Sequence, residues 1–216
     1  MRILSIFLLF LLAGCSSAPP TVPPEYSAPP AVANDGFVTV VASTDIPLSL
    51  SEFREYLREN AFIDYLEPTE NIAPPKSWVS LKGEWMTPGA SRRMQLADGH
   101  YVIERVLENN PELFRYQVWV FTNGAGRGIE QIVGEQRFTA LSPTLTRFEW
   151  RYNVKPTSWF TRIFVKRREP ELQMFMNTGV QNLSNAISSG VYTHPSLRSW
   201  GGWAWPSCSC SEQQTS

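Results

Sequence analysis

The sequence is poor in the residue types that most often carry chemistry. Three cysteines are too few for a disulfide scaffold, and none lies between Cys15 and Cys208. Two histidines, His100 and His194, stand far apart, so neither a metal cluster nor a Cys-His nucleophile is expected inside the chain, and no cofactor is implied. An excess of either charge is also missing. Lys and Arg number 19 against 20 Asp and Glu, and the net −1 excludes a general electrostatic pull towards nucleic acid. Only Lys166-Arg167-Arg168 forms a local basic run. The glycine-rich stretch 122–128 lacks the Lys-Ser/Thr and helix start of a phosphate loop, and reads as a hairpin loop. The longest apolar run, residues 3–12, is too short for a permanent membrane span.

What is present is a chain of 216 residues with 12% aromatics, enough for one domain with an aromatic interior plus tails. Residues 146–154 alternate large apolar with Arg, Glu, Arg and Asn, the period of a strand with one buried face. A cover for that face follows. Leu172, Phe175, Met176, Gly179, Leu183, Ala186 and Ile187 recur at helical spacing, which predicts an amphipathic helix over 170–187 with Pro170 in its first turn.

Upstream, residues 36–42 are β-branched and predict a first strand. Ser49 and Glu52 form a capping box, with Leu48 and Phe53 placed as a hydrophobic staple, so a helix starts there. Residues 62–66 predict a second short helix, stopped by Pro68. Strand-like runs follow at 78–85, 91–96, 100–107, 113–121 and 132–139, then 146–154. Asp98-Gly99 marks a hairpin, and the short spacers argue for antiparallel pairing.

The order is therefore strand, two helices, six strands, long helix. With Trp85, Pro88-Gly89, Arg92, Asp98-Gly99, Glu104, Tyr116, Gly134, Phe138, Thr146, Trp150 and Tyr152, it resembles the START-like or SRPBCC superfamily over residues 36–190. The resemblance implies an α+β helix-grip fold. A curved antiparallel sheet of about seven strands would wrap around the C-terminal helix, with two short helices between the first two strands. None of the matching residues is a catalytic signature.

In that fold the inner faces of sheet and helix enclose a space for an apolar ligand. The resemblance places Phe114, Tyr116, Val118, Phe148, Trp150, Tyr152, Phe175, Met176, Gly179 and Leu183 on its wall, with the Tyr hydroxyls orienting a hydrophobic small molecule or lipid. The same residues would equally fill a solid core. Gly179 would either leave volume or let the helix approach the sheet. Glu104 is the candidate pocket acid: inward, it could serve as a general base; outward, it would be a surface charge paired with an Arg. An enzyme of the cyclase or aromatase kind, or a partner-binding scaffold, is the alternative to ligand binding.

The leader resembles a bacterial lipoprotein signal. Arg2 gives the positive start, residues 3–12 the apolar core, and Leu12-Ala13-Gly14-Cys15 the box cut before the cysteine. The resemblance implies a signal over 1–14 and diacylglyceryl attachment at Cys15, enough acyl chain for stable membrane anchoring. Ser16, where Asp is absent, implies the periplasmic face of the outer membrane in a bacterial envelope. Residues 15–35 hold three Pro-Pro pairs and read as a polyproline tether, long enough at about 3.1 Å per residue to hold the domain on the order of 60 Å from the lipid.

Two stretches remain. Trp159, Phe160, Ile163 and Phe164, interleaved with Arg162, Lys166, Arg167 and Arg168, read as a connector in preference to a basic helix touching headgroups. The tail 191–216, with Trp200, Trp203, Trp205, Cys208 and Cys210, reads as a poorly ordered end.

Overall fold

The computed structural model describes residues 18–190. Its centre is a seven-stranded sheet in the order β1-β7-β6-β5-β4-β3-β2, every neighbouring pair antiparallel. The strands are β1 (Val38–Ile46), β2 (Pro75–Lys82), β3 (Ser91–Leu96), β4 (Tyr101–Asn110), β5 (Leu113–Trp119), β6 (Ile129–Ser142) and β7 (Leu145–Pro156). The first strand thus pairs with the last, Val40 opposite Tyr152 and Ala42 opposite Trp150. Side chains alternate along a strand, so Val38, Val40 and Ala42 share one face with Phe148, Trp150 and Val154.

Helix α1 (Leu50–Glu59) starts where the capping box placed it. The Ser49 amide donates to Glu52 at 2.9 Å and the Glu52 amide to Ser49 Oγ at 3.3 Å. It presents Phe53 to a cluster of T-shaped ring contacts with Phe138 and Phe148, at 5.6 and 5.5 Å. The 3-10 turn Phe62–Tyr65 adds Phe62 against Phe148 and Trp150. Each fully buried Phe here contributes about 1.5–3 kcal/mol of transfer free energy. One end of the sheet is filled solid by these rings.

The long helix α2 runs Trp159–Ser188, starting earlier than the sequence reading allowed. Residues 159–168 are its first turns and not a connector. Ser158 and Thr161 cap it reciprocally: the Thr161 amide donates to Ser158 Oγ at 3.2 Å and the Ser158 amide to Thr161 Oγ1 at 2.9 Å. Thr in place of Glu or Gln hides this capping box in the sequence. Pro170 sits inside the helix, where its missing N–H leaves one turn unbonded without ending it. The C-terminal half of α2 lays Met176, Val180 and Leu183 into the core.

A second correction concerns the Pro-rich segment. Residues 18–35 are not a free spacer but a strap across the outer face of the sheet. The Gln131 amide group donates to Ala31 O at 2.9 Å and accepts from the Ala33 N–H at 3.2 Å. Gln117 donates to Pro30 O, Trp119 to Ser27 O and Arg93 to Pro24 O. Polyproline chain makes no internal hydrogen bonds, so its carbonyls are available to such donors. The strap covers Gln117, Gln131 and Trp119, outward-facing residues that are nonetheless buried. Its far end sets Pro19 against Gly99, where a Cβ would lie 3.1 Å from the ring. Cys15, His194 and the tail from residue 191 lie outside the described residues.

Candidate functional site

Beyond the aromatic end, sheet and helix separate and enclose a cavity of about 370 Å³. Its wall comes from the inner face of β3 to β7, from residues 62–75, from the loop after β5 and from α2. The side chains are mainly apolar, among them Leu66, Ile72, Met94, Val102, Ile132 and Leu172. Asn71, Gly124, Arg127, Phe164 and Arg168 are the exposed members of the lining and frame its opening.

Six of the ten expected wall residues line it: Phe114, Tyr116, Val118, Trp150, Tyr152 and Phe175. The other four do not. Phe148 is fully buried in the ring cluster, stacked on Phe138 at 5.4 Å, while Met176 and Leu183 are core residues with no exposed surface. Gly179 leaves no volume, because a Cβ there would meet Leu66 at 2.5 Å. It serves the close approach of the short 62–66 segment to the helix.

The polar groups of the wall form two sets. On the floor, Trp150 Nε1 donates to Tyr116 Oη at 3.0 Å, and Tyr152 packs edge-on against both rings. Tyr116 can lie flat because Gly134 opposite it has no side chain; a Cβ would fall 2.3 Å from the phenol ring. Burial pushes the Tyr116 phenol well above its usual range, with Tyr152 and Glu104 adding to the shift and the Trp150 N–H opposing it. Burial raises Tyr152 likewise. Both hydroxyls therefore stay protonated, as hydrogen-bond donors and acceptors rather than bases.

The second set is Arg92 with Glu104. The even parity of β4 turns Glu104 inward, opposite Arg92 on β3, and both are buried. Arg92 Nε donates to Glu104 Oε1, and the guanidinium lies over the Trp85 ring at 3.6 Å from its centroid. Glu104 is thus an inward acid with its own cation, a combination of the two readings left open by the sequence. Trp85, Arg92 and the 62–75 segment were missed as wall residues. Their signal was an Arg and a Glu twelve residues apart flanking a hairpin.

Among the described residues two non-glycines adopt positive φ, and both flank this wall. Met86 (φ 79°) follows Trp85 and Val120 (φ 58°) precedes Phe121. Left-handed backbone is costly for a β-branched valine. Val120 follows β5 and begins the loop that closes the cavity, where the Tyr101 amide donates to Thr122 Oγ1 at 2.8 Å. His100, which directly follows the Asp98-Gly99 turn, is buried and contacts Thr122 Oγ1 through Nδ1 at 3.1 Å. On the opposite rim Glu171 of α2 accepts from Thr69 Oγ1 and the Asn71 N–H, each at 2.7 Å, and so pins the 66–73 segment over the cavity. No cluster of His, Cys, Asp or Glu able to hold a metal is found among the described residues.

No family model and no curated protein matches the sequence. Solved structures do match it in fold. A protein from Nitrosospira multiformis superposes with a TM-score of 0.53 at 14% identity, over 71% of this chain and 98% of that one. The Zhui aromatase/cyclase from Streptomyces sp. R1128 gives 0.51 at 12%, over 70% and 96%. A START superfamily protein from Mycobacterium smegmatis gives 0.50 at 11%, over 70% and 97%.

Proposed function

We propose that this START-like, helix-grip domain binds an apolar small molecule or a lipid chain between its sheet and α2, and that the protein is held to a bacterial envelope membrane by lipid on Cys15. The observation that carries the first part is the cavity itself. Its volume of about 370 Å³ falls within the range of about 300–1,000 Å³ typical of small-molecule sites. Apolar area leaving water there gains about 25 cal/mol per Å². The Tyr116 and Tyr152 hydroxyls and the Arg92–Glu104 pair supply the few polar groups that would fix a ligand's orientation.

Support for the anchor comes from the Leu12-Ala13-Gly14-Cys15 box. Among the described residues no helix is long and apolar enough to cross a membrane. A periplasmic, outer-membrane location follows from Ser16 as an expectation of the same reading.

The test is extraction and native mass spectrometry of the full-length protein purified from its membrane. An apolar molecule near one per chain is expected, together with an acylated N-terminal cysteine. A protein that retains nothing, and that a fluorescent fatty acid does not enter, would sink the ligand reading; an unmodified Cys15 would sink the anchor.

A further inference from the structure

The first two turns of α2 gather four of the exposed large apolar side chains of the described residues. Trp159, Phe160, Ile163 and Phe164 are 68, 59, 47 and 61% exposed. Trp159 and Phe160 stack with centroids 3.5 Å apart, so the face is a formed surface and not loose side chains. The backbone beneath it is rigidly held. Arg162 donates to Gly36 O and Phe37 O at 2.9 and 3.0 Å, and the Thr157 N–H donates to Gly128 O at 2.9 Å. A monomer does not leave such a contiguous apolar patch to water without a use for it.

Three placements say what the use is. Phe164 and Arg168 belong both to this helix and to the cavity opening, so patch and opening are continuous. Lys166 and Arg167, on the adjoining turn, are exposed and make no salt bridge among the described residues. And the strap passes Pro19 against the Gly99 turn, which adjoins the loop after β5 through the Thr122–Tyr101 hydrogen bond at 3.1 Å, so the strap leads to the side of the domain where that loop borders the cavity.

We propose that the Trp159–Phe164 face docks onto a bilayer containing anionic phospholipid, with the cavity opening turned to the membrane surface. Trp and Phe are suited to the headgroup level, and exposed Lys and Arg beside them complement anionic lipid. A second copy of the chain fits the surface less well. A two-fold contact through the same face would bring Lys166 and Arg167 of both copies, four like charges, into one apolar interface. Docking of this kind lets an apolar ligand pass between membrane and cavity without crossing water. That consequence rests on the ligand-binding reading; the docking itself does not.

Tryptophan fluorescence of the full-length protein decides it, on vesicles of phosphatidylcholine with and without phosphatidylglycerol, each also made with acyl chains brominated near the headgroup. The wild-type chain is compared with Trp159→Phe. The expected result is a blue shift and a bromine quenching that Trp159→Phe loses, strongest on anionic vesicles and weakened by salt and by Lys166→Glu/Arg167→Glu. Equal quenching of the two chains on anionic vesicles overturns the proposal, as does light scattering that shows lipid-free dimers whose Trp159 is already shielded. Both chains carry the same Cys15, so any anchor cancels in the difference. Flotation of the Cys15→Ser chain reads the anchor separately, and mass spectrometry reads the ligand.

Discussion

Trp150 and Tyr116 are joined at the cavity floor by a 3.0 Å hydrogen bond from indole N–H to phenol oxygen, across two strands that are not neighbours in the sheet. β6 lies between them, and it permits the contact because it has Gly134 at the crossing. Replacing Tyr116 by Phe keeps the ring packing and leaves the buried indole N–H without its partner. The expected loss is about 1–3 kcal/mol in urea denaturation, with the m-value unchanged. A Tyr116→Phe chain as stable as wild type would show that water or ligand takes over the acceptor.

The Arg92–Glu104 pair should behave as a unit. Removing one partner, as in Arg92→Met, leaves a buried carboxylate without its cation and is expected to cost about 3–5 kcal/mol. The double variant Arg92→Met/Glu104→Leu should recover most of that loss. The measurement is a double-mutant cycle in denaturant, and additive single losses would contradict the coupling.

The strap gives a local readout. Gln131→Ala removes the acceptor of the Ala33 N–H and the donor to Ala31 O. Amide exchange at Ala33 should accelerate at least about fivefold, the equivalent of one net hydrogen bond of about 1 kcal/mol. Amides of β7 should be unaffected.

Closure of the 66–73 segment is expected to depend on pH. Burial alone would raise the Glu171 carboxyl, but hydrogen bonds from Thr69 and Asn71 outweigh it and hold the group below its ordinary value. A depressed folded-state value means the pin is intact above the unfolded value of about 4.3 and is lost as pH falls through the lower folded one. The protection factor of the Asn71 amide, its exchange rate referred to the intrinsic rate at each pH, should therefore fall at acid pH, and Glu171→Gln should flatten that dependence.

The element order was legible because β7 alternates, because turn signals such as Asp98-Gly99 separate the strands, and because Ser49 and Glu52 announce α1. Five wall residues followed from strand alternation and Phe175 from helical spacing, once the resemblance made the inner faces a wall. What the sequence concealed has physical causes. Pro170 looks like a helix start and is an interior residue, since tertiary packing of α2 carries one lost hydrogen bond. Gly179 looks like spare volume until Leu66 is known to fill it. The β4 parity was ambiguous because Ile103 is buried on the outer face as well, beneath cover supplied by neither helix. And Pro-Pro pairs advertise an extended chain without saying what lies alongside it.

That chain is gripped through its backbone. Arg93, Gln117, Trp119 and Gln131 reach the carbonyls of Pro24, Pro30, Ser27 and Ala31, groups that every residue type possesses. The sheet face therefore reads mainly the path of the chain. Apart from Tyr26, edge-on to Trp119 at 6.3 Å, and Ser27, whose Oγ also accepts from Trp119 Nε1, residues of the strap can change letters as long as they keep the extended course, whereas the two glutamines beneath them cannot. Mutational scanning should accordingly find the strap permissive and its holders intolerant, the reverse of what exposure in the linear sequence suggests.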